Sequence, residues 1–393
     1  MTALHTLPRR QRGVAALIVT LALFVAMVLG ALFVNRNLLV EQNSARNHER
    51  AAQAFEAAEA GLEWALAQLN NPQRLDGDCA MLAASGSQSF RTRHLQIDTR
   101  TGRITPTACL PIAPGAVATP GFTVEFVGTE RPGVVRIVST GCSRADNHLC
   151  AIDDNLRSDA IARVEVKVAL VPALRTPPAA ALTVRGSVAT MAAFGAHNAD
   201  PESGIAIHAG GTIAAPAAHL TAPAGSGLSE ALLPNDAKLA ERTAARFFAS
   251  HFGIGQTDWS TQPGVTRIDC RVDCAASVLR AIDAAGASPL VWADGDLALD
   301  GPIRIGTPEQ PVVLVVSGTA RLTGAVQFHG VLHAAAVSWN TPAAGAFLRG
   351  ALLSEAGYGG DGTPALVYDR SVLATLQHAS GSFVRVGGSW RDF

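Results

Sequence analysis

Residues 14–34 read VAALIVTLALFVAMVLGALFV, and further on residues 54–66 read AFEAAEAGLEWAL. The first run is uncharged and long enough to cross a hydrocarbon core of about 30 Å, which takes about 20 apolar residues at a helical rise of 1.5 Å. It is longer than the apolar region of an ordinary secretory signal, and no small-x-small cleavage site follows it. Arg9, Arg10 and Arg12 precede it, so the positive-inside rule keeps residues 1–13 cytoplasmic and sends the rest across the membrane. Between Pro8 and Pro72 the chain has no proline, and a single helix is predicted over residues 14–70. Beyond Arg36 that helix turns amphipathic. Ala51, Phe55, Ala58, Leu62, Ala65, Leu66 and Leu69 recur at helical spacing, with Glu49, Arg50, Glu56, Glu59 and Glu63 on other faces. Asn70, Asn71 and Pro72 end it.

Composition narrows the rest. The 393 residues carry 31 Lys+Arg against 32 Asp+Glu, a net charge of −1. A nucleic-acid binder needs a basic excess for phosphate contacts, so none is expected as a partner. Charged residues make up 16% and hydrophobic ones 48%, but aromatics only 5%; Ala, Val and Leu therefore carry the apolar share. With 37 Gly and 21 Pro the chain is rich in turns without collagen-like or disordered bias. Only Lys167 and Lys238 are lysines, a pattern of base composition. One apolar run excludes a polytopic membrane protein.

A short basic leader ending in Gly13, then a rod that is half membrane span and half amphipathic helix, resembles the type IV pilins and pseudopilins. QRGVAALIVTLALFV from Gln11 and AFEAAEAGLEWAL from Ala54 are similar to the N-terminal domain of the PilX pilus assembly family. The resemblance covers about residues 9–70 and implies cutting by a prepilin peptidase between Gly13 and Val14, with methylation of the new Val14 amine. Major pilins carry Glu at the fifth mature position, where this chain has Ile18. A lipid-buried carboxylate is costly unless paired, and in pilins it meets the N-terminal amine of the subunit above. A subunit with Ile18 offers that neighbour nothing, yet its own amine still accepts a Glu from below, which implies a place at or near the filament tip. Ile18 and Gly30 are the expected packing positions within the membrane. A plain signal anchor is the alternative, and it leaves the amphipathic extension unexplained.

All six cysteines (Cys79, Cys109, Cys142, Cys150, Cys270 and Cys274) lie beyond the membrane run, in the compartment where disulfides form. Fifteen pairings are open. Local closure is expected: Cys142–Cys150, Cys270–Cys274 and, by what remains, Cys79–Cys109. No Cys-x-x-Cys or neighbouring His pair suggests a metal.

Residues 73–175 read as a β-rich head. FTVEFV from Phe122, VVRIVST from Val134 and ARVEVKVAL from Ala162 alternate as strands, and in pilins an antiparallel sheet packs on the amphipathic half-helix. PALRTPP, from Pro172, is a linker. Residues 176–393 have short apolar strands with frequent glycines. GAVQFHGVLHAAA from Gly324 aligns with GAFLRGALLSEA from Gly345, placing Gly330 and Gly350 twenty residues apart. GPIRIG from Gly301 with PVVLVVSG from Pro311 forms an earlier unit, and ALTVRGSV from Ala181 with GIAIHAGGTI from Gly204 a further pair. A fixed period of short strands with Gly corners points to a β-solenoid rather than a sandwich. AKLAERTAARFFASHF from Ala237 and a short helix near 275–285 form a helical insertion over about 230–288. The expected fold class is α+β: long helix, small antiparallel unit, C-terminal β-helix-like domain. The last residues, GSWRDF, are similar to the ends of other PilX-type proteins, with Trp390 and Phe393 expected to cap the final coil.

The search for chemistry is negative. Asp294, Asp296 and Asp300 (ADGDLALDG) are the nearest approach to the acidic face of a polysaccharide lyase or hydrolase, but Asp beside Gly also makes turns. Asp153, Asp154 and Asn155 fall short of an EF-hand loop. GYGGDG from Gly357 satisfies G-x-G-x-x-G, yet the strand TPALVY follows it, leaving no helix N-terminus for a pyrophosphate. His329 and His333 lie on one face by period-2 counting, with no third ligand, and are expected at the surface or a corner. No catalytic residue, cofactor or metal is assigned. The leading reading is a non-enzymatic minor pilin, with other minor pilins, a pilus tip adhesin, the prepilin peptidase and the inner membrane as partners. A minor pseudopilin of type II secretion and an anchored periplasmic β-helix enzyme are the alternatives; the tip pseudopilins have largely helical bodies, and this body reads as β.

Overall fold

The computed structural model describes residues 12–75, 88–107, 120–143, 150, 160–190, 195–214, 219–361 and 364–393. One helix, Arg12–Asn70, runs through 59 residues, roughly 90 Å at helical rise. Among the described residues its first half touches nothing: Leu17, Phe24, Met27 and Phe33 are each about two-thirds exposed. Its second half buries Ala54, Ala58, Leu62, Ala65 and Leu69 completely or nearly so.

That buried stripe lies on an antiparallel sheet of strands Gly121–Gly128, Val134–Cys142, Ile161–Pro172 and Gly381–Arg385. Val135, Ile137, Val164, Val166 and Val168 point at the helix and Phe383 completes the layer. The first three strands extend the expected ones by one or two residues. The fourth comes from the far end of the chain. Gly381 pairs with Pro172 and Arg385 with Val168, while Arg391–Asp392 pairs with the same strand at Glu165 and Val164. Trp390 packs edge-on against Phe55 of the long helix, with ring centroids 6.2 Å apart, and Phe393 is exposed. The expectation that Trp390 and Phe393 cap a final coil is therefore corrected: Trp390 packs on the head, and Phe393 joins it only through its backbone N–H to the Arg163 carbonyl. The body, 173–380, is an insertion between two neighbouring strands of the head sheet, and not a C-terminal domain running to 393.

The body is built from parallel strands in three ladders. The first stacks Val265–Cys270, Leu290–Gly295, the start of Val312–Thr323, the middle of Val326–Asn340, Phe347–Ser354, Ala180–Val184, Ile205–Ala209 and Leu232–Leu233. The second runs from Leu297–Leu299 through Tyr358–Gly360 and Val188–Thr190 to Ile213–Ala214. The third runs from Ile303–Ile305 through Ala365–Tyr368 and Gly195–His197 to Leu220–Thr221. Gly330 and Gly350 stand side by side in register at a corner, with φ of +140° and +129°. A Cβ on Gly350 would lie 2.0 Å from the Gly330 carbonyl oxygen, so only glycine fits both the dihedral and the space.

The stack does not follow chain order. The first strands of the body, Ala180–Val184 onward, pair with its last long strand, Phe347–Ser354. The chain enters mid-stack, builds outward to Leu232–Leu233, and restarts at the opposite end with Val265–Cys270. The helices between, Ala237–Ala240, Ala244–Phe252 and Gln256–Ser260, carry it back across the first ladder. The expected insertion of 230–288 is thus not continuous, because strands Leu232–Leu233 and Val265–Cys270 within it belong to the ladder. Helix Ala275–Ala284 follows the second of these, and its Val278 and Ile282 join the interior beside Cys270 and Cys274.

Alternation within the first ladder explains its continuous apolar sequences. Val291, Leu314, Leu332 and Leu352 face the interior. Their neighbours Trp292, Val313, Val315, Val331 and Leu353 face outward, beneath Phe247, Phe248, Phe252 and Trp259 of the crossing helices and Leu373 and Leu376 of helix Arg370–His378.

The closest helix–sheet approach sets a prediction. A Cβ on Gly141 would lie 2.1 Å from the Ala54 carbonyl oxygen, and one on Gly61 would lie 2.2 Å from Ser139 Oγ. Replacing Gly141 by Val should therefore lever the helix off the sheet and cost about 1–3 kcal/mol of head stability, measured as a lower denaturant midpoint at unchanged slope.

Candidate functional site

The element with an obvious task is the long helix, because half of it is left without partners. Its first half is long and apolar enough to cross a membrane, and none of it is buried. Gly13 and Val14 lie in its first turn, and the leader before Arg12 lies outside the described residues. Ile18 is 61% exposed. A Cβ at Gly30 would meet open space. No described residue of the body or head packs on Ile18 or Gly30.

The far end of the helix is fastened by buried polar groups. Asn70 Nδ2 donates to the carbonyls of Leu66 and Phe383, and the Phe383 N–H donates back to Asn70 Oδ1 at 2.7 Å. One side chain thus pairs with the strand edge as a neighbouring strand would. Arg91 lies over the Phe383 ring and donates to the carbonyls of Leu69 and Gly381. Burial lowers its guanidinium to about 10, so it stays charged at neutral pH and serves the carbonyl end of the helix. Trp64 packs against Phe90 and Phe122 at 5.5 and 5.8 Å, and Glu63 forms an ion pair with Arg385. Sequence reading took Asn70 only as a helix terminator; Arg91 and Phe383 gave no local signal, since their partners lie far away in the chain.

The cysteines form disulfides Cys142–Cys150 and Cys270–Cys274. Cys79 and Cys109 lie outside the described residues, as do Asp153, Asp154 and Asn155. The second disulfide joins the outermost strand of the first ladder to the start of helix Ala275–Ala284.

The aspartates of ADGDLALDG do not converge. Asp294 pairs with Arg267 and accepts from Ser317; Asp296 accepts from the Thr319 N–H and Arg321; Asp300 accepts from Thr323. Each ties its strand or turn to a neighbouring one. The Arg267 hydrogen bond holds Asp294 below the usual carboxylate range, and the Thr319 N–H does the same for Asp296. Among the described residues no three His, Cys, Asp or Glu side chains are placed to hold a metal ion. Tyr358–Gly360 of GYGGDG is a ladder strand, and strand Ala365–Tyr368 comes next.

The two histidines do not share a face. Gly330 turns a corner between them, so His329 lies on the third ladder against Phe347 at 5.1 Å and His333 on the outer side of the first. The expectation of a surface or corner position fails for His333, which is 1% exposed beneath Phe247, Phe248 and Phe252. Neither His333 ring nitrogen has a hydrogen-bond partner among the described residues. Glu355 lies 3.5 Å away, and burial disfavours the charged form of both groups. It pushes the Glu355 carboxyl up and, reinforced by His251, pulls His333 down to about 3.

Residues 12–63 match the family model described as PilX N-terminal. No curated protein matches the chain significantly in sequence. Among solved structures, the competence-associated pilin ComZ from Thermus thermophilus is 13% identical over 88% of this chain and 97% of that one, with a TM-score of 0.24. At that score the body cannot be assigned by likeness. Over residues 12–63 the long N-terminal helix is similar to the PilX N-terminal domain, and it carries a large β-rich domain with a parallel sheet. The match to the PilX N-terminal model ends within the helix.

Two measurements probe these contacts. Asn70→Ala strands the buried N–H and C=O of Phe383 and should cost about 1–3 kcal/mol, with the Phe383 amide losing protection against hydrogen exchange. For His333, the folded pKa lies below the unfolded value, so its stabilising contribution is complete above about pH 6.5 and is lost as pH falls toward 3. Between pH 7 and 5 this should remove about 2 kcal/mol. In a His333→Leu variant the unfolding free energy should fall less steeply over that window.

Proposed function

We propose that this chain is a non-enzymatic minor pilin of a type IV pilus, priming assembly at or near the filament tip and displaying its body for attachment. The observation that carries the reading is the division of one 59-residue helix into an unpartnered apolar half and a half locked to its own head. A signal anchor has no use for the second half, and a soluble domain could not leave the first half bare. In this reading the prepilin peptidase cuts between Gly13 and Val14, the Val14 amine is methylated, and residues 14–34 wait in the inner membrane with the body outside. Ile18, in place of a carboxylate, leaves the subunit nothing to offer a neighbour above it. Its partners are other minor pilins and the tip adhesin. We read the three parallel ladders as a β-solenoid. Their insertion between adjacent head strands suits display, because both ends of the body are anchored on one sheet.

Shearing tests this. The protein should be recovered with sheared filaments, in a manner dependent on the other minor pilins, and Gly13→Leu should block processing and leave a heavier protein in the membrane. Retention of the wild type with the membrane after shearing would remove the assignment.

A further inference from the structure

A cavity of about 510 Å³ opens where head, linker and body meet. The head contributes Arg100, presented by a turn in which Asp98 Oδ1 accepts the N–H groups of Arg100 and Thr101. The linker contributes Pro177 and Pro178. The body contributes Asp200, Glu202, Tyr368 and Arg370.

The body's side is rigidly built. Asn198 is fully buried, and its Nδ2 donates to Ala179, Ser203 and Ile205 while its Oδ1 accepts the Asp200 N–H. Asp200 Oδ1 in turn accepts the N–H groups of Glu202 and Ser203. Its other oxygen faces Arg370 at 3.6 Å, too long for a hydrogen bond, although the side chain is only 10% exposed. Arg370 binds Glu202 at 2.6 Å. The Arg100 guanidinium has no hydrogen bond among the described residues. Tyr368 is half-buried, and burial raises its phenol, so it remains a donor at neutral pH.

We infer that this cavity is a binding site for a neutral saccharide of one or two units. The lining holds two guanidinium groups and two carboxylates, so it has no net charge to select an ion. What it has is an aromatic ring against which the C–H face of a pyranose can lie, with planar polar groups around it. An unsatisfied carboxylate oxygen and a free guanidinium fork match the adjacent hydroxyls of a sugar, which donate to one and accept from the other. The volume is in the range of small-ligand sites, which favour junctions between structural units. As the means of attachment this rests on the display role proposed above; the binding itself does not.

The test uses the full chain in a non-glycosidic detergent, with saturation-transfer NMR on D-galactose, D-mannose and N-acetyl-D-glucosamine as probes. At least one should receive saturation at its ring protons. Tyr368→Ala and Arg100→Ala should each weaken that sugar by about tenfold or more, and Tyr368→Phe should keep most of the affinity because the ring remains. Arg100 lies on an exposed turn, so its variant should melt like the wild type and reports binding even if Tyr368→Ala misfolds. Transfer to none of the three sugars, transfer unchanged in Arg100→Ala, or displacement of the sugar by citrate would overturn the proposal. Recovery of the protein with sheared pili is read separately, so failure of one result leaves the other standing.

Discussion

The contact on which the head depends is between two backbones. Ala54, Ala58 and Gly61 leave one side of the long helix almost without side chains, and the strand at Gly141 comes against it where no Cβ could fit. That approach lets Leu62, Ala65 and Leu69 reach the valines of the sheet. It also fixes where the apolar half must point, because a continuous helix held rigidly at one end cannot fold its other end back. The bare apolar half is thus a consequence of the tight packing of the docked half.

The second organising feature is the route of the chain. Strands 161–172 and 381–385 are neighbours, so the body leaves and rejoins the head at one place. Asn70 and Arg91 seal the joint by serving the backbone of the returning strand and the end of the helix together. Inside the body, entry in mid-stack demands a return path, and the aromatic helices 244–260 provide it. They cover the outer side of the first ladder, which is why that ladder is apolar on both faces. His333 lies in this covered layer as a neutral ring, a cost that the surrounding aromatic packing offsets.

Much of this was legible in the residues. The uncharged run, the alanine-rich stripe and the proline-free span define the helix to within a few residues. The Gly330 and Gly350 repeat identifies strands that do stand in register. Period-2 reasoning failed at His329 and His333 because it assumed a straight strand, and Gly330 bends it at positive φ. Reading the last residues as a cap failed because coils were expected to stack in chain order. Nothing local in SFVR or in GSWRDF says that their partners are a strand some two hundred residues earlier and the ring of Phe55. The aspartates near 294 looked like a cluster because sequence neighbours in a stack of coils point along different corners, each toward the coil beside it.

The sequence by itself determined that the chain has one apolar rod, an amphipathic continuation and a Gly-punctuated body of parallel-type strands. Those properties are periodic and local, set by propensity and by which side chains water rejects. Only the tertiary structure decided that the body is an insertion, that its strands stack out of chain order, and that Arg100 lines one cavity with Asp200 and Tyr368. These depend on which distant backbones find each other, and hydrogen bonds between strands carry no mark of the partner in either strand alone.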